Sequence, residues 1–261
     1  MTPLEVVILI LASAAAGVVN AIAGGGTLIT FPALLILCRT PALIANATST
    51  LALVVGTAGS IYGFRTEIPI IRSWLVRFLP VSIAGGWVGS LLLTCTSNEA
   101  FSRLVPYLLL FATALFITQS LFRKIFVPSE TDPAPRAHAT PRALWVAIVF
   151  QFAVAVYGGY FGAGIGILML ASLGFLGLTN IHQMNALKNV LGSLINLVAA
   201  LWFIWSGLID WPKMLVMSIG AMAGYYVGAH YSLRIPQARV RQIIAGVGFA
   251  ISGILFLRQW H

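Results

Sequence analysis

The chain has 261 residues, of which 59% are hydrophobic and only 8% are charged. Because about a quarter of the residues in an ordinary soluble domain are charged, this composition excludes a soluble globular protein and predicts an all-α, polytopic protein of the lipid bilayer. The formal charge of +9 does not indicate a nucleic-acid partner, since the lysines and arginines stand at the ends of apolar runs instead of forming one basic face.

In chain order, hydropathy divides the sequence into ten apolar segments. They cover roughly residues 4–22, 27–38, 42–63, 73–95 and 100–122, and then 143–160, 164–177, 183–206, 212–232 and 239–258. A transmembrane helix needs about 20 apolar residues, so the second and seventh segments are too short to cross a bilayer alone. Each of these two short segments begins at a cluster of glycines, which predicts a discontinuous helix in each half of the chain.

The two halves carry the same order of motifs, about 139 residues apart. The first half has Asn20-Ala-Ile-Ala-Gly24-Gly25-Gly26 followed by Asn46-Ala-Thr48-Ser49-Thr50, and the second has Gly158-Gly-Tyr-Phe-Gly162-Ala-Gly164 followed by Asn185-Ala-Leu-Lys188-Asn189. Because each half contains an odd number of segments, we predict two inverted repeats. The first repeat covers residues 1–123, a linker covers 124–141, and the second repeat covers 142–261.

The linker is rich in proline and in charges of both signs, which is typical of a solvated connection without a core of its own. Successive loops of a membrane protein lie on alternate sides of the bilayer. Assigned in this way, ten basic residues lie on the same side as the linker and four lie on the opposite side. Since basic residues accumulate in cytoplasmic loops, the sequence predicts a cytoplasmic linker and places both termini outside.

One polar stripe occurs at helical spacing in both halves. Its second-half members stand at i, i+3, i+4, i+7 and i+11, and are Asn185, Lys188, Asn189, Gly192 and Asn196. The matching positions of the first half are Asn46, Ser49, Thr50, Leu53 and Thr57. Unpaired polar groups in hydrocarbon cost several kcal/mol each, so we expect the stripe to face protein or water.

Lys188 is the only charged residue well inside an apolar segment, which makes it a functional-site hypothesis. The alternative is a lysine that snorkels from the start of its helix near His182. The helices that begin just past Gly26 and Gly164 present unpaired amides and the positive ends of their dipoles, which attract anions. Alternatively, these glycines only permit tight helix packing, as we expect for Gly85-x-x-x-Gly89 and for Gly220-x-x-x-Gly224-x-x-x-Gly228.

These features together predict a small anion site. The candidate substrate-binding residues are Lys188, Asn185, Asn189, Asn196, Asn46, Ser49, Thr50, Gly24, Gly25, Gly26, Thr27, Gly162 and Gly164. The six acidic residues all lie at segment ends or in the linker, so no carboxylate in the membrane is an obvious proton relay. Uniport and proton-linked exchange both stay open.

Several motifs together resemble the TauE/SafE sulfite exporter family of membrane permeases. They are Gly24-Gly25-Gly26-Thr27 running into Phe31-Pro32, the helix start Asn46-Ala-Thr-Ser-Thr50, the run Asn185-Ala-Leu-Lys188-Asn189-x-x-Gly192-x-x-x-Asn196, and Ile209-Asp210-Trp211. The resemblance covers nearly the whole chain, although Ala163 and Ile165 depart from the richest family pattern in the second glycine cluster. It implies a carrier of the bacterial inner membrane for sulfite, sulfonates or other small sulfur-containing or organic anions.

The sequence therefore predicts a secondary transporter of a small anion that works by alternating access, with an anion channel or a non-transporting membrane subunit as the alternative. An enzyme is not expected, because the four histidines are scattered over linker, loop and terminal positions. Two cysteines, Cys38 and Cys95, are too few for a zinc site, and we expect no metal or cofactor. The expected partners are the anion, the lipid bilayer and a possible second copy of the chain.

Overall fold

The computed structural model describes residues 1–22, 25–63, 68–126, 141–175, 181–231 and 237–260, and every regular element within these ranges is helical. In chain order the elements are α1 (Pro3–Ile22), α2 (Thr27–Pro32) with a π-helical continuation (Ala33–Leu37), α3 (Ala42–Gly63), α4 (Ile68–Cys95), α5 (Asn98–Phe126), α6 (Pro141–Tyr160), α7 (Ile165–Phe175), α8 (Ile181–Trp205), α9 (Trp211–Tyr231) and α10 (Gln237–Trp260). The all-α fold and the order of the ten segments are confirmed. The domain limits stay a prediction, since most of the linker lies outside the described residues.

Four of the described helices are both long and apolar enough to cross a membrane. The stretches that meet this criterion are Pro3–Ala21, Ile68–Cys95, Asn98–Thr118 and Ala186–Trp205. The shorter apolar stretches include Thr27–Leu37 at the first glycine cluster. The composition and these helices together support an integral membrane protein.

The chain breaks at both glycine clusters because glycines take a left-handed conformation there. Gly25 has a φ of 97° in the first cluster, and Gly162 and Gly164 each have a φ of 80° in the second. A residue with a Cβ atom rarely adopts such an angle, and a right-handed helix cannot continue through it. As a result α1 ends before α2 begins at Thr27, and α6 ends before α7 begins at Ile165.

Glycines also allow two helix pairs to pack in close contact. A Cβ atom on Gly85 of α4 would lie 2.6 Å from the Cβ of Ala155 in α6, and one on Gly224 of α9 would collide with the backbone of Ala14 in α1. The packing role predicted for the glycines spaced by four residues is therefore confirmed for both helices.

The helices of the two halves make equivalent contacts when α1 to α5 are matched in order with α6 to α10. The pair α1 and α9 then corresponds to the pair α6 and α4, and the contact of α4 with α8 corresponds to that of α9 with α3. Such matched pairs agree with two related halves. That the halves are inverted stays a prediction.

Polar contacts tie the two halves together at one end of the bundle. Asp210 follows α8, and its backbone amide donates to Thr48 Oγ1 of α3 over 3.0 Å. Lys213 Nζ lies 2.7 Å from Asp210 Oδ2 and donates to Thr40 Oγ1 over 3.1 Å. Both members of this ion pair are more than three-quarters buried, so the pair is shielded from solvent and links the loop after α8 to the loop before α3.

Candidate functional site

A cavity of about 120 Å³ lies between the two helix breaks. It is lined by Asn20, Gly25, Thr27, Thr50, Leu53, Thr57, Phe116, Phe161, Gly162, Gly164, Ile165, Gly166, Ile167, Lys188, Asn189, Gly192, Ser193, Asn196 and Tyr225. Backbone and side chains from both halves therefore meet around one space. Because water takes up about 30 Å³ in the liquid, this space suits a few waters or one compact ligand.

Each helix break is braced by a side chain from the end of the preceding helix. In the first half, Asn20 Oδ1 accepts a hydrogen bond of 2.6 Å from the amide of Gly26, six residues later. In the second half, the hydroxyl of Tyr157 donates over 2.8 Å to the carbonyl oxygen of Ala163, also six residues later. These bonds satisfy backbone groups that a broken helix leaves unpaired, and they hold both short helices in place.

The first turns of α2 and α7 have the same geometry. The amide of Leu28 donates to the carbonyl of Gly25, and the amide of Ile167 donates to the carbonyl of Gly164, each over 3.0 Å. Both turns adjoin the cavity through Gly25 and Gly164. Helix starts carry partial positive charge, so α7, with its 11 residues, contributes a potential that favours an anion.

Lys188 reaches the cavity from the second turn of α8 and passes over the start of α7. A Cβ atom on Gly166 would lie 3.3 Å from Lys188 Cδ, so the absence of a side chain at Gly166 makes room for the lysine stem. Among the lining residues, Lys188 is the one whose side chain carries a formal charge. The cavity is therefore electropositive, both from this ammonium group and from the adjoining helix start.

The polar stripe is divided between the cavity and the protein core. Thr50 of α3 lines the cavity, and so do Asn189 and Asn196 of α8. By contrast, Ser49 and Asn46 of α3 lie outside the lining and bind neighbouring elements.

Ser49 Oγ lies 2.6 Å from Thr30 Oγ1 of α2. Asn46 Nδ2 donates over 3.1 Å to the carbonyl oxygen of Tyr160 at the end of α6. Asn46 Oδ1 is buried and has no hydrogen-bond partner among the described residues. In this geometry the two side chains fasten α3 to α2 and to α6.

Eight of the thirteen predicted binding residues line the cavity: Gly25, Thr27, Thr50, Gly162, Gly164, Lys188, Asn189 and Asn196. Gly26 adjoins the break, but its amide is bonded to Asn20. Gly24 and the side chain of Asn185 lie outside the described part of the chain. Substrate binding by any of these residues stays a prediction.

Asn20, Ser193 and Tyr225 line the cavity, but they were not predicted from the sequence to belong to the site. Asn20 begins the first glycine motif, and a polar residue at the end of an apolar segment is the signal that could have identified it. Ser193 follows Gly192 of the stripe directly. Tyr225 gave no signal, because it stands beside Gly224 in a packing motif whose partners are known only from the tertiary structure.

A cluster of phenylalanines closes one side of the cavity. The ring of Phe161, which lines the cavity, meets the ring of Phe31 edge to face with centroids 5.4 Å apart, and it meets Phe101 at 6.4 Å. All three side chains are buried. Edge-to-face contact is a favoured arrangement of aromatic rings, so the cavity borders a packed apolar cluster on this side.

Comparison with known proteins agrees with the motifs. The sequence profile of the family described as sulfite exporter TauE/SafE matches residues 9–255. The chain is 28% identical to a "Probable membrane transporter protein" of Haemophilus influenzae over 246 residues, which are 94% of this chain and 91% of the relative. It is 27% identical to "Probable membrane transporter protein YfcA" of Escherichia coli (strain K12) over 258 residues, 98% of this chain and 91% of the relative. No solved structure matches the chain.

Proposed function

The chain belongs to the sulfite exporter TauE/SafE family of membrane transporters, and we propose that it is a secondary carrier that moves a small oxyanion through the cavity between its two helix breaks by alternating access. Sulfite, a sulfonate or a small carboxylate has the charge and compactness that the cavity favours. We place the protein in the inner membrane, with the linker in the cytoplasm and both termini outside.

The observation that carries this proposal is the meeting of two broken helices and Lys188 around one cavity of about 120 Å³. Placing a lysine inside a membrane protein costs free energy. The ammonium group of Lys188 also adjoins a helix start, which carries partial positive charge. The ammonium group and the helix start would both attract an anion in the cavity. Side-chain amides that line the cavity, those of Asn189 and Asn196, can donate neutral hydrogen bonds to the ligand.

The membrane potential provides a driving force for the outward direction. An inside-negative potential favours the exit of an anion by about 2.3 kcal/mol per charge and per 100 mV. The described residues that line the cavity include no carboxylate, and both uniport and proton-linked exchange agree with this lining. The carrier can therefore work as a uniporter for export.

The test is Lys188→Met, which keeps a long apolar stem and removes the positive charge. Purified protein is reconstituted in liposomes, and the uptake of radiolabelled sulfite, methanesulfonate and acetate is measured. We expect at least one of them to be taken up by the wild type, and we expect Lys188→Met to lower the apparent affinity by about tenfold or more, the usual loss for a hydrogen bond to a charged group.

The matched control is Lys124→Met near the end of α5, which removes the same charge at the predicted cytoplasmic surface. Its uptake is expected to equal that of the wild type. If Lys188→Met transports as well as the wild type, Lys188 is a snorkelling residue and the anion site lies elsewhere.

Counterflow separates a carrier from the alternatives. Liposomes preloaded with the unlabelled anion accumulate label transiently only if one site alternates between the two sides of the membrane. Flux that is not saturable and shows no counterflow would identify a channel. The absence of any flux together with the absence of binding would identify a non-transporting subunit.

A further inference from the structure

We infer that Tyr225 of α9 donates a directed hydrogen bond to the transported oxyanion, and that Asn20 of α1 positions its hydroxyl group. This inference rests on the proposed function and adds to it a residue that selects the ligand. Lys188 attracts any small anion by its charge, whereas a hydroxyl donor favours ligands with an acceptor oxygen.

The ring and the backbone of Tyr225 pack against glycines of two other helices. A Cβ atom on Gly56 of α3 would lie 2.8 Å from Tyr225 Cδ2 and 2.9 Å from Cε2, so Gly56 leaves room for the ring. A Cβ atom on Gly17 of α1 would lie 2.7 Å from the backbone nitrogen of Tyr225, so Gly17 lets the backbone of α9 approach α1. The next residue, Tyr226, points outward and is 77% exposed.

Asn20 connects Tyr225 to the first helix break. Its Oδ1 atom accepts the hydrogen bond of 2.6 Å from the amide of Gly26, and the same side chain lies close enough to the hydroxyl of Tyr225 to interact with it. An asparagine side chain offers one acceptor atom and one donor group. Because Oδ1 already serves Gly26, the Nδ2 group is the part of Asn20 left to serve Tyr225.

This arrangement determines where the phenolic proton points. When Nδ2 of Asn20 donates to one side of the Tyr225 oxygen, the O–H bond takes the other in-plane direction, and Tyr225 lines the cavity. The hydroxyl is then a neutral donor with a defined direction, braced by the same asparagine that caps the helix break. Sites built to donate a hydrogen bond reject ligands that cannot accept one far more strongly than apolar pockets do.

The experiment measures the dissociation constants of sulfite, methanesulfonate and acetate for purified protein, at a temperature where every variant is folded. We expect Tyr225→Phe to weaken the binding of the anion that the wild type binds by about tenfold or more, while the ligand-free variant stays folded at the temperature of the measurement. The matched control is Tyr226→Phe, which removes the same atom from the neighbouring exposed ring and should leave the dissociation constant unchanged.

The positioning role of Asn20 is tested by a double-mutant cycle. If Asn20 acts partly through Tyr225, the loss of affinity in the double variant Asn20→Ala, Tyr225→Phe is smaller than the product of the two single losses. A purely structural role of Asn20 at Gly26 would make the two losses multiply.

The outcomes separate this inference from the proposed function. If the wild type binds an anion and Lys188→Met weakens that binding while Tyr225→Phe does not, the role of Tyr225 is overturned and the carrier function stands. If the two single losses multiply, the positioning role of Asn20 is overturned. If the wild type binds none of the three anions, the proposed function and the inference fall together.

Discussion

The contact between α4 and α6 makes Gly85 a sharp test of the fold. A methyl group at this position would lie 2.6 Å from the Cβ of Ala155 and 2.9 Å from the carbonyl oxygen of Phe152. Carbon atoms in van der Waals contact are about 3.5–4.0 Å apart, so Gly85→Ala requires the two helices to separate by about 1 Å.

The cost of Gly85→Ala follows from this displacement. A gap of about 0.5–1 Å forfeits a quarter to a half of the dispersion attraction between the atoms that face each other, and overpacking costs about 1–3 kcal/mol. Alanine in a helix is favoured over glycine by about 0.5–1 kcal/mol. We therefore expect a net loss of about 1–2 kcal/mol in the free energy of unfolding, which corresponds to about 2–4 °C in Tm per kcal/mol.

Gly253→Ala in α10 is the matched control, because among the described residues no atom beyond the neighbouring backbone of α10 lies within 4 Å of the position that its Cβ would take. The same substitution there should raise the stability by about 0.5–1 kcal/mol. The assay is thermal or SDS-induced unfolding of the purified protein in detergent micelles, followed by circular dichroism. If both substitutions raise the Tm equally, α4 and α6 are not in close contact at Gly85 and the reasoning is refuted.

Two further predictions concern topology and the ion pair. Cys95 is exposed and Cys38 is buried, and both are free thiols; burial also raises the pKa of the Cys38 thiol, so less of the reactive thiolate forms. In intact cells an impermeant maleimide should label Cys95 alone, and a cysteine introduced at Ser129 of the linker should stay unlabelled; labelling of the linker cysteine would reverse the orientation. Lys213→Met leaves the partly buried carboxylate of Asp210 without its ion-pair partner, so we expect a loss of about 1–3 kcal/mol in unfolding free energy, and an unchanged Tm would mean that solvent screens the pair.

Much of the fold follows from local properties of the chain. The ten segments and the two helix breaks lie where hydropathy and the glycine clusters predict them, because burial in lipid and backbone freedom at Gly25 and Gly164 depend on the residues themselves. The start of α4 was predicted too late. Arg72 and Arg77 lower the hydropathy of the first turns, but both are exposed on a helix that begins at Ile68, and charged side chains do not interrupt its backbone hydrogen bonds.

The polar stripe on α3 could be predicted from the sequence, but the division of its residues between the cavity and the core could not. The stripe on α3 extends over 12 residues, from Asn46 to Thr57, about 16 Å of helix, and its spacing predicts one polar face. The spacing does not predict which residues of that face line a cavity. Ser49 and Asn46 bond to neighbouring elements, whereas Thr50 lines the open space.

The amino-acid sequence alone specifies a helical membrane protein with two broken helices, one charged residue inside an apolar segment, and membership of a transporter family. Which side chains share the cavity depends on contacts between residues far apart in the chain. The ring of Tyr225 has room beside the cavity because Gly56, on another helix, has no side chain. The rotation and approach of packed helices are set by all of their neighbours together, so no local pattern in the sequence encodes them.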